Sequence, residues 1–504
     1  MLWFCACTQR DPIKPISDTE TRRSEKDADA SVLIQYQICR TGGGTIEGWC
    51  SQHGKPGETV RVPVTAVPRT GYVFRGWSDG VTEPTRADVF GEEDWTVTAN
   101  FSVDRLELPI VTITTATNRD VFSKEEYIGA VVSVCNTGNV SYEMSGVEAQ
   151  IRGRGNGTWE YPKKSYRLKF THSQNMLGLG TAKHKQWILM ANHADRSMVR
   201  NYLAIDLANR LSGIGYNNHA AFVELYLNEE YRGVYLLAEQ IEDDADRVDI
   251  GTETLADPNA EDAGFLVELD EYAKEEDRFC IDGQPFEIKN ANLNAAQRAY
   301  VVRYIEDVND AIKDGDRERL AALTDLDSFI DGYLLEEFFK NIDVGWSSYY
   351  MHKKPGEKMV FGPFWDFDLS AGNNISLDGG AWDGIYVGRR TGFAQEHFWY
   401  SRITRNAWFC DAVRARWTEI LPDVNATIAE LERIRAAAPK AFARNYEVWP
   451  IQDETLWHIP DDQKPLTTWQ AHIEYLHDWL TSRRDFLTAY FNSDDAYAFQ
   501  RRAR

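Results

Sequence analysis

The stretch Gly362–Leu369 reads GPFWDFDL and places two aspartates, Asp366 and Asp368, among bulky apolar side chains. In an extended segment the apolar side chains point to one side and both carboxylates point to the other. Burying two neighbouring carboxylates is costly unless a divalent metal ion neutralises both. The stretch therefore predicts a metal site; the alternative interpretation is a strand end that carries two solvated acids.

A third aspartate, Asp343, lies upstream in the segment Lys340–Asp343, where a helix-like pattern ends. It is a candidate catalytic base. A base aspartate followed at modest distance by a metal-binding Asp-Phe-Asp resembles the catalytic half of a protein kinase. A glycoside hydrolase that uses Asp343 with Asp366 or Asp368 is an alternative, but it leaves the basic segment described next unexplained.

The basic segment begins with Ile151–Trp159, which reads IRGRGNGTW. Glycines let backbone amides approach an anion closely, and guanidinium groups supply forked donors for phosphate. The following Pro162–Phe170, PKKSYRLKF, alternates as a strand, so that Arg167 and Lys169 share one face. This density of cations is anomalous in an acidic chain and predicts a phosphate-binding surface; the alternative is a tight hairpin with a solvated basic face.

Length and composition set the frame for these motifs. A chain of 504 residues predicts two or three domains, and 43% hydrophobic residues allow a large core. The net charge of −23 argues against a surface for nucleic acid or anionic membranes, because its electrostatic sign is wrong. The sequence has no run of about 18 apolar residues, so we expect no membrane-spanning segment.

Residues 1–30 are predicted to form a lipoprotein signal remnant and a polar linker. Their start, MLWFCACT, resembles the tail of a bacterial lipoprotein signal, in which Cys7 would carry the lipid. This predicts a protein that is tethered by a lipid anchor at the bacterial cell envelope or extracellular surface. The alternative is a chance similarity.

Residues 31–104 contain short β-like runs broken by Gly and Pro, which predict a small all-β domain. The segment Gly71–Gly80, followed by Thr98–Phe101, resembles the InlB-B-type repeats of bacterial surface proteins. Such repeats act as spacers or adhesive stalks, so we expect no chemistry in this part.

Residues 105–495 mix strands and helices, which predicts an α+β domain with a β-rich part followed by a helical part. The acidic motifs lie near the junction of the two parts. Helical spacing of apolar residues predicts helices at 195–212, 294–313, 327–341, 428–438 and 469–490.

Together these motifs resemble the CotH family of atypical protein kinases, over roughly residues 108–490. The resemblance rests on six segments: Arg152–Trp159, Pro162–Leu168, Trp187–Asn192, Asp195–Asn201, Gly233–Ile241 and Gly362–Asp368. It implies an atypical protein-kinase-like fold of two lobes, a β-rich N-lobe and a helical C-lobe.

The resemblance also implies roles for individual residues. Asp366 would hold Mg²⁺ or Mn²⁺ on the phosphates of ATP, and Asp343 would orient or deprotonate the acceptor hydroxyl. Kinases have an asparagine ligand five residues after the base; this position is Ser348, so Asp368 is expected to be the second metal ligand. Asp195 and Arg200 would organise a helix. The implied nucleotide-binding residues are Arg152, Gly153, Arg154, Gly155, Asn156, Lys164 or Lys169, and Glu239 at the position of the adenine-binding hinge.

The function predicted from these residues is an ATP- and divalent-metal-dependent protein kinase. It would transfer the γ-phosphoryl group to Ser or Thr of a cell-envelope or coat protein, with no nucleic-acid partner. The alternative is a catalytically weak or inactive kinase-like scaffold that acts as a bacterial surface-binding or structural lipoprotein. The replacement by Ser348 and the scarcity of ATP outside the cytoplasm favour that alternative.

Overall fold

The computed structural model describes residues 31–38, 44–68, 72–103, 107–180, 182–251, 262–290, 293–388 and 398–493. Residues 1–30, with the predicted lipidation site Cys7, lie outside this part. The chain divides into two compact units. The first comprises Met1–Glu107 with Tyr226–Tyr231, and the second comprises Leu108–Leu225 with Arg232–Arg504.

The first unit is all-β, as predicted from its sequence. Its strands are β1 (Val32–Ile38), β2 (Gly44–Glu47), β3 (Ser51–Gly54), β4 (Val64–Pro68), β5 (Tyr72–Trp77), β6 (Thr85–Arg86) and β7 (Trp95–Val103). They form a four-stranded sheet in the order β3-β1-β7-β5 and a three-stranded sheet in the order β2-β4-β6. Alternate side chains of β1 and β7 are buried and form part of the apolar core of this unit.

A buried arginine organises the centre of this unit. The Arg86 guanidinium donates to Asp79 Oδ2 at 2.6 Å and to Asp88 Oδ1 at 2.7 Å. Its central carbon lies 5.1 Å from the ring centre of Trp77 and 5.6 Å from that of Trp95. Two carboxylates and two aromatic faces therefore offset the cost of burying its charge.

The second unit begins with a closed barrel of seven strands in the order β10-β11-β12-β14-β13-β8-β9. These strands are β8 (Ile110–Thr115), β9 (Ile128–Cys135), β10 (Met144–Arg154), β11 (Ser165–Gln174), β12 (His184–Met190), β13 (Ala220–Leu227) and β14 (Glu230–Glu239). Along β11, Tyr166, Leu168 and Phe170 are buried while Lys169 is exposed, so the alternation predicted from the sequence is confirmed.

The rest of the second unit combines eight described α-helices with a five-stranded sheet. The helices are α1 (Arg200–Arg210), α2 (Ala295–Asp314), α3 (Arg317–Leu323), α4 (Leu326–Phe339), α5 (Trp399–Ile403), α6 (Ala407–Ala437), α7 (Pro439–Val448) and α8 (Trp469–Asn492). The sheet has the order β16-β17-β15-β18-β19, with β15 (Phe265–Leu269), β16 (Arg278–Ile281), β17 (Gln284–Ile288), β18 (Tyr349–Lys353) and β19 (Val360–Phe364). Among the described helices, none has both the length and the apolar composition to cross a bilayer.

The α+β class predicted from the sequence is confirmed, but the five-stranded sheet inside the helical part was not predicted. All residues of β15, β17 and β18 are buried. A strand buried on both faces has no alternation of apolar and polar residues, so its sequence does not differ from that of a short buried helix segment.

Two buried cations join α7 to the barrel. Arg444 Nη2 donates to Glu224 Oε1 at 2.6 Å, and both side chains are only 1% exposed. Lys163 Nζ donates to Asn445 Oδ1 at 2.8 Å and also to the carbonyl oxygen of Val234. Because these groups lie far from water, Arg444 depends on its protein partners for solvation, and burial lowers the pKa of Lys163 well below its ordinary value.

Replacing Arg444 with Met should lower the free energy of unfolding by about 3–5 kcal/mol, because the buried Glu224 carboxylate would lose its cationic partner. The double variant Arg444→Met/Glu224→Met removes both charges and should recover much of this loss. Chemical denaturation of the two variants and the wild type measures the difference. A single variant as stable as the double variant would contradict the structural role of the pair.

Candidate active site

The Asp-Phe-Asp motif follows the end of β19 and does not continue as a strand. Asp366 has a φ angle of +71°, in the left-handed region that non-glycine residues seldom occupy. The Phe364 N–H donates to Asn217 Oδ1 at 2.5 Å, and the Phe367 N–H donates to Asn201 Oδ1 at 2.6 Å. The expectation of an extended segment was therefore wrong, because two distant asparagines hold the backbone in a turn.

This turn places the two aspartates in different surroundings. Asp366 is half-buried, and its Oδ2 accepts a hydrogen bond from Ser348 Oγ at 3.0 Å. Asp368 is buried. Burial, followed by the charges of Asp366, Asp343 and Asp195, raises the pKa of Asp368 well above its ordinary value. The negative charge at this position is thus poorly compensated by the protein itself.

Asp343 belongs to the same electrostatic group. It follows α4, whose end is marked by the left-handed Lys340 with a φ angle of +50°, and its N–H donates to Asn341 Oδ1 at 3.1 Å. Burial, together with the charge of Asp366, raises the pKa of Asp343 to about 7. The structure therefore brings Asp343, Asp366 and Asp368 close enough for their charges to interact.

The predicted supporting pair, Asp195 and Arg200, joins the start of α1 to the loop after the motif. The Arg200 N–H donates to Asp195 Oδ2 at 2.9 Å, and Arg200 Nη1 donates to Asp195 Oδ1 at 2.5 Å. On its other side, Arg200 Nε donates to the carbonyl oxygens of Ser370 at 3.0 Å and Ala371 at 3.2 Å. The pair therefore holds the segment that follows Asp368.

Arg154 is a cation of the basic segment whose charge interacts with Asp366 and Asp368. Its guanidinium carbon is 4.9 Å from the ring centre of Trp365. Burial and the charge of Arg167 lower the pKa of Arg154 to about 10, against an opposing effect of Asp366 and Asp368. Within the described residues, no hydrogen bond or ion pair engages this guanidinium. Its donors are thus available to a ligand.

The other predicted nucleotide-binding cations have different surroundings. Arg152 Nη1 donates to the carbonyl oxygen of Lys124. Lys164 Nζ donates to the carbonyl oxygen of Trp159 at 2.5 Å, and Lys169 is exposed on the barrel surface. Among the described residues, no hydrogen bond or ion pair joins any of these three cations to the aspartates.

Gly153 and Gly155 let neighbouring side chains pack directly against the backbone of the basic segment, so this part does not form an open loop. A Cβ atom on Gly153 would lie 2.2 Å from the Trp159 ring, and one on Gly155 would lie 2.1 Å from Thr158 Oγ1. Gly155 also has a φ angle of +105°. Asn156, which follows Gly155, is exposed.

Glu239, which was predicted at the hinge position, is fully buried. Its Oε2 accepts hydrogen bonds from the His219 N–H and from His219 Nδ1, both at 2.8 Å. Burial raises the pKa of Glu239, but the hydrogen bonds from His219 and the charge of Arg247 outweigh it, so the net shift is downward. The carboxylate thus joins the end of β14 to His219, the residue before β13.

A second group of carboxylates, Glu268, Asp270 and Glu287, was missed in the sequence. Their oxygen atoms lie within 4.8 Å of one another on the five-stranded sheet. Lys289 Nζ bridges Glu268 Oε2 at 2.9 Å and Glu287 Oε2 at 2.6 Å. The charge of Asp366 contributes to the raised pKa of Asp270, after burial and the nearer groups. The sequence signal that could have revealed this group was the presence of acidic residues within otherwise apolar strands.

Comparisons with known proteins agree with the motifs. A family model described as CotH kinase protein matches residues 151–487, more than half of the chain. A model described as divergent InlB B-repeat domain matches residues 35–105. A search of curated proteins gives no match. Both resemblances drawn from the sequence are thereby confirmed.

The raised pKa of Asp343 makes stability depend on pH. A carboxyl with a raised pKa binds its proton more tightly in the folded state, so its contribution is full below about 4 and is lost as pH rises through about 7. In chelator at pH 8, Asp343→Asn should therefore raise the free energy of unfolding by at least about 1 kcal/mol.

The comparison is made by denaturant unfolding at pH 4.5 and pH 8, with Asp411→Asn on the exposed side of α6 as the matched control. The advantage of Asp343→Asn should shrink at pH 4.5, and the control should show no such trend. An advantage that is equal at both pH values would exclude electrostatic crowding as its cause.

Proposed function

The chain belongs to the CotH kinase family, and from this premise we propose that it is an ATP- and divalent-metal-dependent kinase that phosphorylates Ser or Thr of a protein. One observation carries the proposal. Arg154 stacks on Trp365 but has no hydrogen-bond or ion-pair partner among the described residues, and its charge interacts with Asp366 and Asp368. An anion with a bound divalent cation, such as a metal–nucleotide complex, complements both signs of charge.

The aspartates fit the metal ion that such a kinase needs. Carboxylate oxygens are the ligands that Mg²⁺ and Mn²⁺ prefer, and the poorly compensated charge of Asp368 suits a cation. We therefore assign Asp366 and Asp368 as the metal-holding residues. The metal ion, when bound with ATP, neutralises charge on the phosphates.

The remaining steps are assigned to side chains of this chain. Arg154 offers forked donors to phosphate oxygens, and Trp365 beneath it keeps the guanidinium in place. Asp343 has a pKa near 7, which suits a group that accepts the proton of an acceptor hydroxyl. Ser348 acts by orienting Asp366 through its hydrogen bond rather than as a metal ligand.

We propose that the acceptor is a protein of the cell envelope or coat. The InlB-type repeat at residues 35–105 supports a location at the bacterial surface, and the lipoprotein-like residues around Cys7 support a lipid tether there. The net charge of −23 supports a protein rather than a nucleic acid as the partner.

The second candidate function is a surface scaffold that binds nucleotide but turns it over slowly or not at all. The specific observation that favours it is Ser348, which replaces an asparagine metal ligand and whose hydroxyl is already bonded to Asp366. Nucleotide binding without turnover would distinguish the scaffold from the kinase.

Phosphoryl transfer tests the proposal directly. With γ-labelled ATP and Mg²⁺ or Mn²⁺, the wild type should label itself or a generic Ser/Thr substrate, and chelator should abolish the signal. Asp366→Ala should lower the rate at least about 100-fold, since changes to metal sites of even the outer shell cost 10–100-fold. Asp411→Ala is the control. Unchanged labelling in Asp366→Ala would refute the site, and ATP binding without labelling would favour the scaffold.

Substitutions of Arg154 and Lys169, two cations of the basic segment, should differ in their effect on catalysis. Arg154→Ala should lower kcat/KM by about 10–1,000-fold, because a phosphate contact in a water-poor site is strengthened there. Lys169→Ala, on the exposed barrel face, should change it less than about twofold. Steady-state kinetics on both variants, and on Arg154→Lys, tests whether a forked donor is needed. Equal losses in Arg154→Ala and Lys169→Ala would contradict the assignment.

A further inference from the structure

Another cluster of ligand-type side chains, separate from the two groups of carboxylates described above, lies at the end of the barrel where β12 begins. Antiparallel pairing of β12 with β14 sets Trp187 opposite Glu239. The chain that leaves β14 therefore runs back along the start of β12. This segment, residues 242–248, is called the acidic loop here and reads EDDADRV.

The acidic loop is fixed to β12 by buried polar contacts. Gln186 Nε2 donates to Glu242 Oε2 at 2.5 Å, and Arg247 Nη2 donates to the carbonyl oxygen of Gln186 at 2.9 Å. The Arg247 guanidinium carbon also lies 5.2 Å from the ring centre of Trp187. Within the loop, Asp244 Oδ1 accepts the Asp246 N–H at 2.9 Å. This bond joins the Asp244 side chain to the backbone of Asp246.

His184, the first residue of β12, faces this loop without a hydrogen-bond partner. The residue is 4% exposed, and among the described residues no hydrogen bond engages its ring: Nδ1 faces Asp244, and Nε2, on the other side of the ring, is buried. Its Nδ1 atom lies 3.8 Å from Asp244 Oδ2, which is too far for a hydrogen bond. Buried polar atoms without partners are uncommon and call for a ligand or another explanation.

The three side chains can converge on one ion. A ring nitrogen of His184 and carboxylate oxygens of Asp244 and Asp246 all lie within 4.8 Å of one another. Donor atoms around a tetrahedral Zn²⁺ lie roughly 3.3–3.6 Å apart, since each is about 2.0–2.2 Å from the metal. Because the Asp246 side chain is exposed, it can rotate to bring its carboxylate to this separation from the other two donors.

We propose that His184, Asp244 and Asp246 form a divalent-metal site that is separate from the catalytic aspartates. One imidazole and two carboxylates favour Zn²⁺ or Mn²⁺ over Ca²⁺, which takes oxygen ligands only. The metal clips the acidic loop to β12, directly after Glu239 at the end of β14. The cluster of Glu268, Asp270 and Glu287 differs, because Lys289 already bridges two of its carboxylates.

The site is tested by metal content, independently of kinase activity. Metal-free full-length protein is dialysed against Zn²⁺ without nucleotide, and bound zinc is measured by mass spectrometry. The variant Asp366→Asn serves as the background, because it weakens binding at the catalytic aspartates. In this background we expect one equivalent of zinc, and zinc should raise the midpoint of thermal unfolding.

Adding Asp246→Asn should weaken zinc binding by at least about tenfold and abolish the thermal shift, as should His184→Gln. Adding Asp243→Asn, a neighbouring carboxylate outside the cluster, should leave both readings unchanged. Because Asp246 is exposed, its variant keeps the test valid if His184→Gln does not fold. No bound zinc in the background variant, or zinc content unaffected by Asp246→Asn, would overturn the proposal.

Discussion

The buried ion pair of Asp195 and Arg200 is the constraint on which the arrangement of the site depends. Asp195 accepts hydrogen bonds from Ser197 and Arg200, while Arg200 also binds carbonyl oxygens after the Asp-Phe-Asp motif. Removing two charges from water is costly, and only full hydrogen bonding offsets that cost. The backbone of the Ser370–Ala371 segment is therefore held to the start of α1, and with it the position of Asp368.

Around this pair the candidate site gathers buried carboxylates whose negative charges interact. Asp343 and Asp368 have raised pKa values because they are buried and because the neighbouring carboxylates, above all Asp366, add negative charge. Elsewhere in the same unit, buried carboxylates such as Glu224 have a close arginine partner. The contrast separates carboxylates that stabilise the fold from those that we propose to bind a ligand.

The sequence predicted the parts of the site that depend on local pattern. The alternation of β11 and the anomalous aspartates of the motif were both visible, because side-chain period and buried charge are properties of a short segment. The turn at Asp366 was not visible, since it depends on Asn201 and Asn217, which are distant in the sequence. The acidic group around Glu268 was missed for the same reason: β15 and β17, which set Glu268 opposite Glu287, come together only in the folded sheet.

The contact between Ser348 and Asp366 has an evolutionary consequence. Both residues hold left-handed backbone conformations, with φ angles of +60° and +71°, and their side chains are joined by a hydrogen bond. Glycine at either position relieves backbone strain but removes the bond, and a bulky residue keeps neither. Because Asp366 is also the proposed metal-holding residue, lineages that keep the site should keep this aspartate. Position 348 should then accept only residues that adopt the left-handed conformation and still donate a hydrogen bond to Asp366.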